Sequence, residues 1–408
     1  MAERLAAPEF ADYLMELGGT LLSYGCPTHR LEELIRELAR IEGHRAEAFA
    51  VPTGLFLTVY GADGETPTFR MDRVKEWAVD LERLALVDGI FNEVAEHRCS
   101  LKDARRRLHE LEVMPKPYPA VLQWLAPAGA AGAAAIFFRG GIGEVLVAAV
   151  GGLLLAVLAF EIRRAPRVRL LSDFLGGLIA AFLAWTVTSF QPDLSREVIV
   201  LSVVIVLVPG MALTTGFAEL AHKNLVSGGA RVFEAFIVFL SIMFGIALVV
   251  GIEQTVGVAH ATPPVRVGAA LPYQAIALLV AALSFAVIFS VPRKYLATAI
   301  LSAAIAWIAT AAGTRYLPGH MAAFGASLTL CLFANACARW TFRPAQVFQL
   351  PGMILLVPGS FGFLSLESFL RGEFLGGAAK GFEMVLIAGA LVTGLLVANV
   401  VLPAKKIL

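Results

Sequence analysis

Seven carboxylates lie in or beside long apolar runs of this chain: Glu144, Glu161, Asp173, Glu219, Glu234, Glu367 and Glu383. A charge in such surroundings is costly, so each reads first as a proton carrier or ligand. Glu144, Glu161 and Asp173 fall near the ends of their runs, where solvation is the simpler reading. Glu219, Glu234, Glu367 and Glu383 remain as candidates for proton coupling. Glu234 and Glu383 each open a run behind a glycine-rich linker, so favouring the positive start of a helix explains them equally well. Hydroxyls and one amide stand nearby: Thr214, Thr215, Ser360, Ser365 and Asn335. Asn335 offers both a donor and an acceptor to a ligand, although a bond between helices is the commoner use of such a residue.

Two Pro-Gly pairs sit among these groups. Leu207-Val208-Pro209-Gly210 recurs as Leu356-Val357-Pro358-Gly359, an offset of 149 residues, and at the same offset Phe233-Glu234 returns as Phe382-Glu383 and Gly228 as Gly377. Proline removes a backbone donor and clashes with the preceding turn, and glycine weakens a helix. Both runs are therefore expected to break. Hydrocarbon cannot satisfy the freed backbone groups, so such breaks belong beside protein or a watery cavity. Interrupted spans at matching places in two halves point to a binding site. Pro209, Gly210, Thr214, Thr215, Pro358, Gly359, Ser360 and Asn335 are the substrate-site candidates, with a half-helix start favouring a carboxylate. The plainer alternative is a pair of structural kinks.

Cys26 and His29, with Glu32 and Glu33 beyond, have the types of a nucleophile and base or of metal ligands. No second cluster supports either chemistry: Thr28 reads as a helix cap and Glu32 with Arg36 as a surface pair. No catalytic residue, metal or cofactor is expected, and the chain is read as no enzyme.

The elements that must position these groups are mostly spans. Apolar residues make up 58% of the 408 residues and charged ones 16%, far below the share usual in soluble domains. More than half of the charges fall before Pro119, so two regions have different solvents. A bilayer needs about 20 apolar residues per helix, and ten such stretches begin near Val121, Gly143, Leu170, Val198, Val232, Pro272, Leu296, Met321, Ala345 and Gly381. Connections on one side carry Arg163, Arg164, Arg167, Arg169, Lys223, Arg231, Arg293, Lys294, Arg339, Arg343, Lys405 and Lys406. The other side has only Arg139, Arg196, Arg266, Arg315, Arg371 and Lys380. Positive loops stay cytoplasmic, which places both termini there and the protein in a cytoplasmic (inner) membrane.

Residues 1–118 read as a cytoplasmic α+β domain. Helical spacing runs from Phe10 to Tyr24, from Leu31 to Ile41 and from Trp77 to Val94, and Ser100 with Asp103 resembles a capping pair. Between them, Arg45 to Val74 reads as short strands broken at Pro52-Thr53-Gly54 and Gly61-Ala62-Asp63-Gly64. Met1 to Phe10 has no apolar signal segment. Residues 119–255 and 256–408 form two five-helix units joined across Gly251 to Leu271, and an odd count of spans makes the second an inverted copy of the first. Net charge is +1 with no basic patch, which disfavours nucleic acid. Four scattered cysteines make neither a disulfide framework nor a zinc clip.

The chain resembles the threonine/serine exporters. The resemblance is carried by Gly25-Cys26-Pro27-Thr28-His29-Arg30-Leu31-Glu32, Pro52-Thr53-Gly54, Ser100 to Leu111, Val208-Pro209-Gly210 and Val357-Pro358-Gly359. It implies ten membrane helices in two related units, fused here, a cytoplasmic amino-terminal domain, and export of threonine and serine driven by protons; related split systems are linked to dicarboxylates. The expected function is secondary export of a small polar metabolite by proton antiport. Partners are then the substrate, protons and the lipid bilayer, with room for a homo-oligomer. Rival readings are a succinate-like dicarboxylate exporter and a membrane-anchored enzyme, scaffold or sensor acting through its amino-terminal part.

Overall fold

A computed structural model describes residues 7–61, 67–74, 77–164, 168–256 and 268–404. The first six residues, the Ala62-Asp63-Gly64 part of the expected turn, most of the Gly251–Leu271 connection, and Arg167, Arg266, Lys405 and Lys406 lie outside them. The amino-terminal part comprises α1 (Ala7–Ser23), α2 (Thr28–Ile41), β1 (Arg45–Val51), β2 (Gly54–Tyr60), β3 (Thr68–Asp72), α3 (Leu81–Ala95) and α4 (Leu101–Val113). The strands pair antiparallel in the order β1-β2-β3, with Arg45 opposite Tyr60 and Leu57 opposite Arg70. Alternation along β2 turns Leu55, Leu57 and Val59 into the core beside Phe10, Leu14, Leu17 and Leu21 of α1. Ser100 caps α4 as expected, its hydroxyl accepting from Asp103 N at 3.1 Å. The third helix starts later than its apolar spacing suggests: Asp80 caps it at Arg83 N, leaving Trp77 in the preceding segment.

The remaining elements are apolar helices: α5 (Ala120–Phe137), α6 (Ile142–Arg164), α7 (Ser172–Phe190), α8 (Arg196–Val204), α9 (Gly210–Ala221), α10 (Leu225–Val256), α11 (Leu271–Ile288), α12 (Leu296–Thr314), α13 (Gly319–Thr341), α14 (Gln346–Leu356), α15 (Gly359–Leu370) and α16 (Phe374–Val401). Among the described residues nine stretches are long and apolar enough to cross a membrane, the α14–α15 pair counting as one and α8 and α9 each falling short. The expected starts agree within two residues except at α10 and α16. Both begin seven residues before Val232 and Gly381, because Ser227-Gly228-Gly229-Ala230 and Gly376-Gly377-Ala378-Ala379 are helical rather than linker. A methyl added at Gly228 would lie 2.7 Å from Gly216 O, and one at Gly377 3.0 Å from Ser365 O, so close helix approach fixes small residues there.

The turns leading into these two helices match at the 149-residue offset. Lys223 and Gly372 both take positive φ, 67° and 79°. Asn224 N reaches Glu219 O and Glu373 N reaches Ser368 O, each at 2.9 Å, closing a Schellman turn in both copies. The amino-terminal part packs directly on the helices: its core continues into Ala286, Val291, Val347 and Phe348, Leu81 N donates to Phe289 O at 2.9 Å, and Tyr118 Oη to Val291 O at 2.7 Å.

Candidate functional site

The site begins with the two prolines. Helix α8 stops at Val204, and α9 restarts after Pro209 (φ −79°, ψ 43°); α14 stops at Leu356, and α15 restarts after Pro358 (φ −80°, ψ 34°). The two breaks pack against each other reciprocally. A methyl added at Gly210 would lie 2.2 Å from Val357 Cγ1, and one at Gly359 2.3 Å from Val208 Cγ1. Each glycine thus makes room for the valine of the opposite break. First-turn N–H groups have no carbonyl within their own helix and carry partial positive charge. Both starts open on one cavity of about 180 Å³, lined by Gly210, Gly359 and Ser360 and walled by Phe137, Phe138, Phe285 and Trp307. Two helix starts in apolar surroundings suit an anionic group such as a carboxylate.

Thr214, Thr215 and Asn335 come together elsewhere, around a second cavity of about 100 Å³ that also touches Pro27, His29 and Arg30 of the amino-terminal part. Thr214 Oγ1 donates to Gly210 O at 3.1 Å. Asn335 Nδ2 donates to Asn399 Oδ1 and Leu402 O, both at 2.9 Å, so its amide protons join α13 to α16. Ser365 is buried and donates to Gly377 O at 2.7 Å.

The four glutamates are separated. Glu219 is fully buried near the end of α9. One of its oxygens accepts from both Thr28 N and Thr28 Oγ1 at 3.0 Å, and the other from Arg231 Nε at 3.1 Å. Arg231 is itself buried and lies 5.0 Å over the Trp77 ring. Thr28 is therefore the first helical residue of α2 rather than its cap: Pro27 holds the cap position, and a carboxylate 191 residues away satisfies the helix start. Glu367 is half-buried at the far end of the broken helices, where Arg371 bridges it at 2.8 Å and Glu197 at 2.6 Å. Glu234 and Glu383 are exposed on the third turns of α10 and α16, so neither opens a helix.

Burial keeps the Cys26 thiol protonated by pushing it up to about 12, and its Sγ lies 3.6 Å from Pro27 O. A thiol so held is no nucleophile at neutral pH. His29 instead stacks on His222, ring centroids 4.0 Å apart; burial first, then His222 and Arg30, pushes its imidazole down to about 3. The expected Glu32–Arg36 surface pair is replaced: Glu32 accepts from Ala50 N at 2.9 Å, and Arg36 Nε donates to the Glu32 carbonyl.

Sequence reasoning missed several groups. Glu144, read as solvated, is fully buried and accepts from Gly141 N and Ser195 N at 2.9 Å, fastening the start of α6 to the segment before α8. Arg196 and buried Glu253 form an ion pair. Ser227 Oγ donates to Ala50 O at 2.8 Å, tying α10 to β1. Arg231 and its offset partner Lys380 make analogous contacts, to Glu219 and to Ser368 Oγ at 2.9 Å. That twelve-residue spacing in both copies was the available signal.

Long apolar helices around a pair of broken ones define a polytopic α-helical membrane protein. The chain belongs to the threonine/serine exporter family: a profile described as "Putative threonine/serine exporter" matches residues 12–252 and one described as "Threonine/Serine exporter, ThrE" matches residues 274–401. An uncharacterized protein of Schizosaccharomyces pombe is 29% identical over 245 residues, covering 58% of this chain and 32% of its own. The pheromone-regulated membrane protein 10 of Yarrowia lipolytica is 27% identical over 245 residues, covering 58% and 20%, and that of Eremothecium gossypii 26% over 240 residues, covering 58% and 32%. The chain spans about a third or less of the length of these relatives. No solved structure matches.

Proposed function

We propose that this protein is a secondary active exporter of small polar metabolites, threonine and serine first among them, working by proton antiport. The observation that carries the reading is the shared cavity at two abutting Val-Pro-Gly breaks. With α8–α9 and α14–α15 each taken as one interrupted crossing, the chain crosses ten times, five in residues 119–255 and five in 256–408. An odd unit repeats upside down, the inverted design of many transporters. The loop charges then put both termini and the α+β domain of residues 1–118 in the cytoplasm.

The substrate carboxylate sits at the starts of α9 and α15, against Pro209, Gly210, Pro358, Gly359 and Ser360. Thr214, Thr215 and Asn335 lie on the way to the cytoplasmic face. Glu219 is the favoured coupling residue, because protonation there removes the charge that holds Arg231 and Thr28. Glu367, at the opposite end, is the second; Glu234 and Glu383, being exposed, rank below them. Two helix starts at one cavity also suit a dicarboxylate, which keeps succinate-like cargo as the second reading.

The test is efflux from proteoliposomes loaded separately with labelled threonine, serine, succinate or a sugar, with and without a proton gradient and an uncoupler. Gradient-sensitive amino-acid efflux is expected. Succinate-selective efflux moves the substrate class, and no efflux from folded protein overturns the transporter reading.

A further inference from the structure

Each proline of the two breaks removes one particular hydrogen bond. A helical carbonyl accepts from the N–H four residues on, and proline has no N–H, so Pro209 and Pro358 leave the carbonyls of Ile205 and Ile354 without their helical donors. Ile205 keeps helical dihedrals (φ −55°, ψ −31°) and Ile354 lies inside α14, so both carbonyls point along their axes toward the breaks. The neighbouring N–H groups do not replace the lost donors: Val208 N reaches Val204 O at 3.0 Å, Gly210 N reaches Val208 O at 2.8 Å, and Val357 N reaches Met353 O at 3.2 Å. Among the described residues no other turn or loop N–H reaches either oxygen. Ile205 and Ile354 stand at the same 149-residue offset as the prolines, and both line the helix-start cavity.

That cavity therefore has two poles. Phe361 N and Gly362 N turn back to Pro358 O at 3.1 and 3.4 Å, which leaves the Gly359 and Ser360 N–H groups, with the Ser360 hydroxyl and the Trp307 indole, as donors. The two isoleucine carbonyls, on the other side of the prolines, only accept. A carboxylate gains nothing from a carbonyl, whereas an ammonium group brings three donors and no acceptor, and unwound carbonyls of broken helices are known holders of cations. No charged side chain lines the cavity among the described residues. A second carboxylate would stand there uncompensated, at a high desolvation cost, while a zwitterion adds no net charge.

We propose that the carbonyl oxygens of Ile205 and Ile354 form an ammonium subsite, so that the cavity takes a small zwitterionic amino acid, carboxylate at the helix starts and ammonium on the isoleucine carbonyls, in preference to a dicarboxylate. The prolines then serve recognition as well as shape, each by withholding one N–H. The proposal rests on the transporter reading above and names the class of cargo for the same cavity.

The experiment measures binding of labelled threonine to full-length protein in lipid nanodiscs, displaced by unlabelled threonine, by 3-hydroxybutyrate, which keeps the hydroxyl and carboxylate but lacks the ammonium, and by succinate. In wild type 3-hydroxybutyrate and succinate should each bind about a hundredfold more weakly than threonine, the loss of two hydrogen bonds to a charged group. Pro209→Ala and Pro358→Ala each restore an N–H to one carbonyl, so each should shrink the gap between threonine and 3-hydroxybutyrate about tenfold. Should both variants fold poorly, the α-hydroxy acid analogue of leucine at position 355 decides the matter: it keeps the prolines, turns the Ile354 carbonyl into a weaker ester acceptor, and should shrink the same gap. Displacement by 3-hydroxybutyrate or succinate as strong as by threonine, or a gap unchanged in folded variants, overturns the subsite, while gradient-sensitive efflux from wild-type proteoliposomes leaves the transporter reading standing. Neither binding nor efflux of threonine by wild type overturns both.

Discussion

Gly210→Ala tests the reciprocal packing of the two breaks. The added methyl would stand 2.2 Å from Val357 Cγ1, whereas carbon atoms rest about 3.5–4.0 Å apart. Something must therefore move by more than about 1 Å, and the neighbour is a short branched side chain between a break and a helix rather than a flexible tip. Overpacking of this kind costs about 1–3 kcal/mol, which corresponds to about a 5–150-fold change if it falls on the transport-competent arrangement. The obstructing atom is a single methyl carbon: with Cγ1 gone, the next contacts are Val357 Cβ at 3.4 Å and Gly359 Cα at 3.9 Å. Val357→Ala should therefore rescue Gly210→Ala, and Val208→Ala should rescue Gly359→Ala. A double-mutant cycle on efflux rate and thermal stability reads the coupling. Wild-type behaviour of Gly210→Ala alone, or strictly additive losses in the pair, refutes the packing argument.

Three further outcomes are expected. Glu219→Gln leaves Arg231 buried without its counter-charge, at a cost of about 3–5 kcal/mol; thermal melting should drop, Arg231→Met should recover most of the loss, and proton dependence of efflux should vanish while some exchange persists. An unshifted melting curve with intact proton dependence refutes both roles. The His29 imidazole is pushed down to about 3 from 6.5, so between these pH values the unfolded chain binds a proton that the folded chain refuses. Stability should accordingly fall as pH drops from about 6.5 toward 3, and His29→Phe should flatten that slope; parallel pH profiles of melting temperature count against it. Cys26, buried with its thiol pushed up to about 12, should resist maleimide until unfolding while partly exposed Cys99 reacts, which mass spectrometry of labelled protein checks.

Local pattern carried most of the fold. Apolar run lengths located the long helices, and the Ser100–Asp103 cap was legible because it closes within one turn. The two misplaced starts, α10 and α16, share one cause: small residues read as linker when hydropathy alone is weighed, yet they are what permits backbone contact with α9 and α15. The site was legible where its chemistry is a chain property, as at the Pro-Gly pairs. It was not where the partner is remote. Nothing near Thr28 announces Glu219, and nothing near Glu144 announces Ser195, because carboxylates that satisfy helix starts in other segments leave no periodic trace.

The reciprocal valine–glycine contact also bears on how the chain is made. Synthesis proceeds from the amino terminus, so the first break must await Val357 before its gap at Gly210 is filled. The amino-terminal core is in the same position, since Val347 and Phe348 complete it. The core around α1 to α4 and the first break thus both stay incomplete until α14 and the break that follows it have been made.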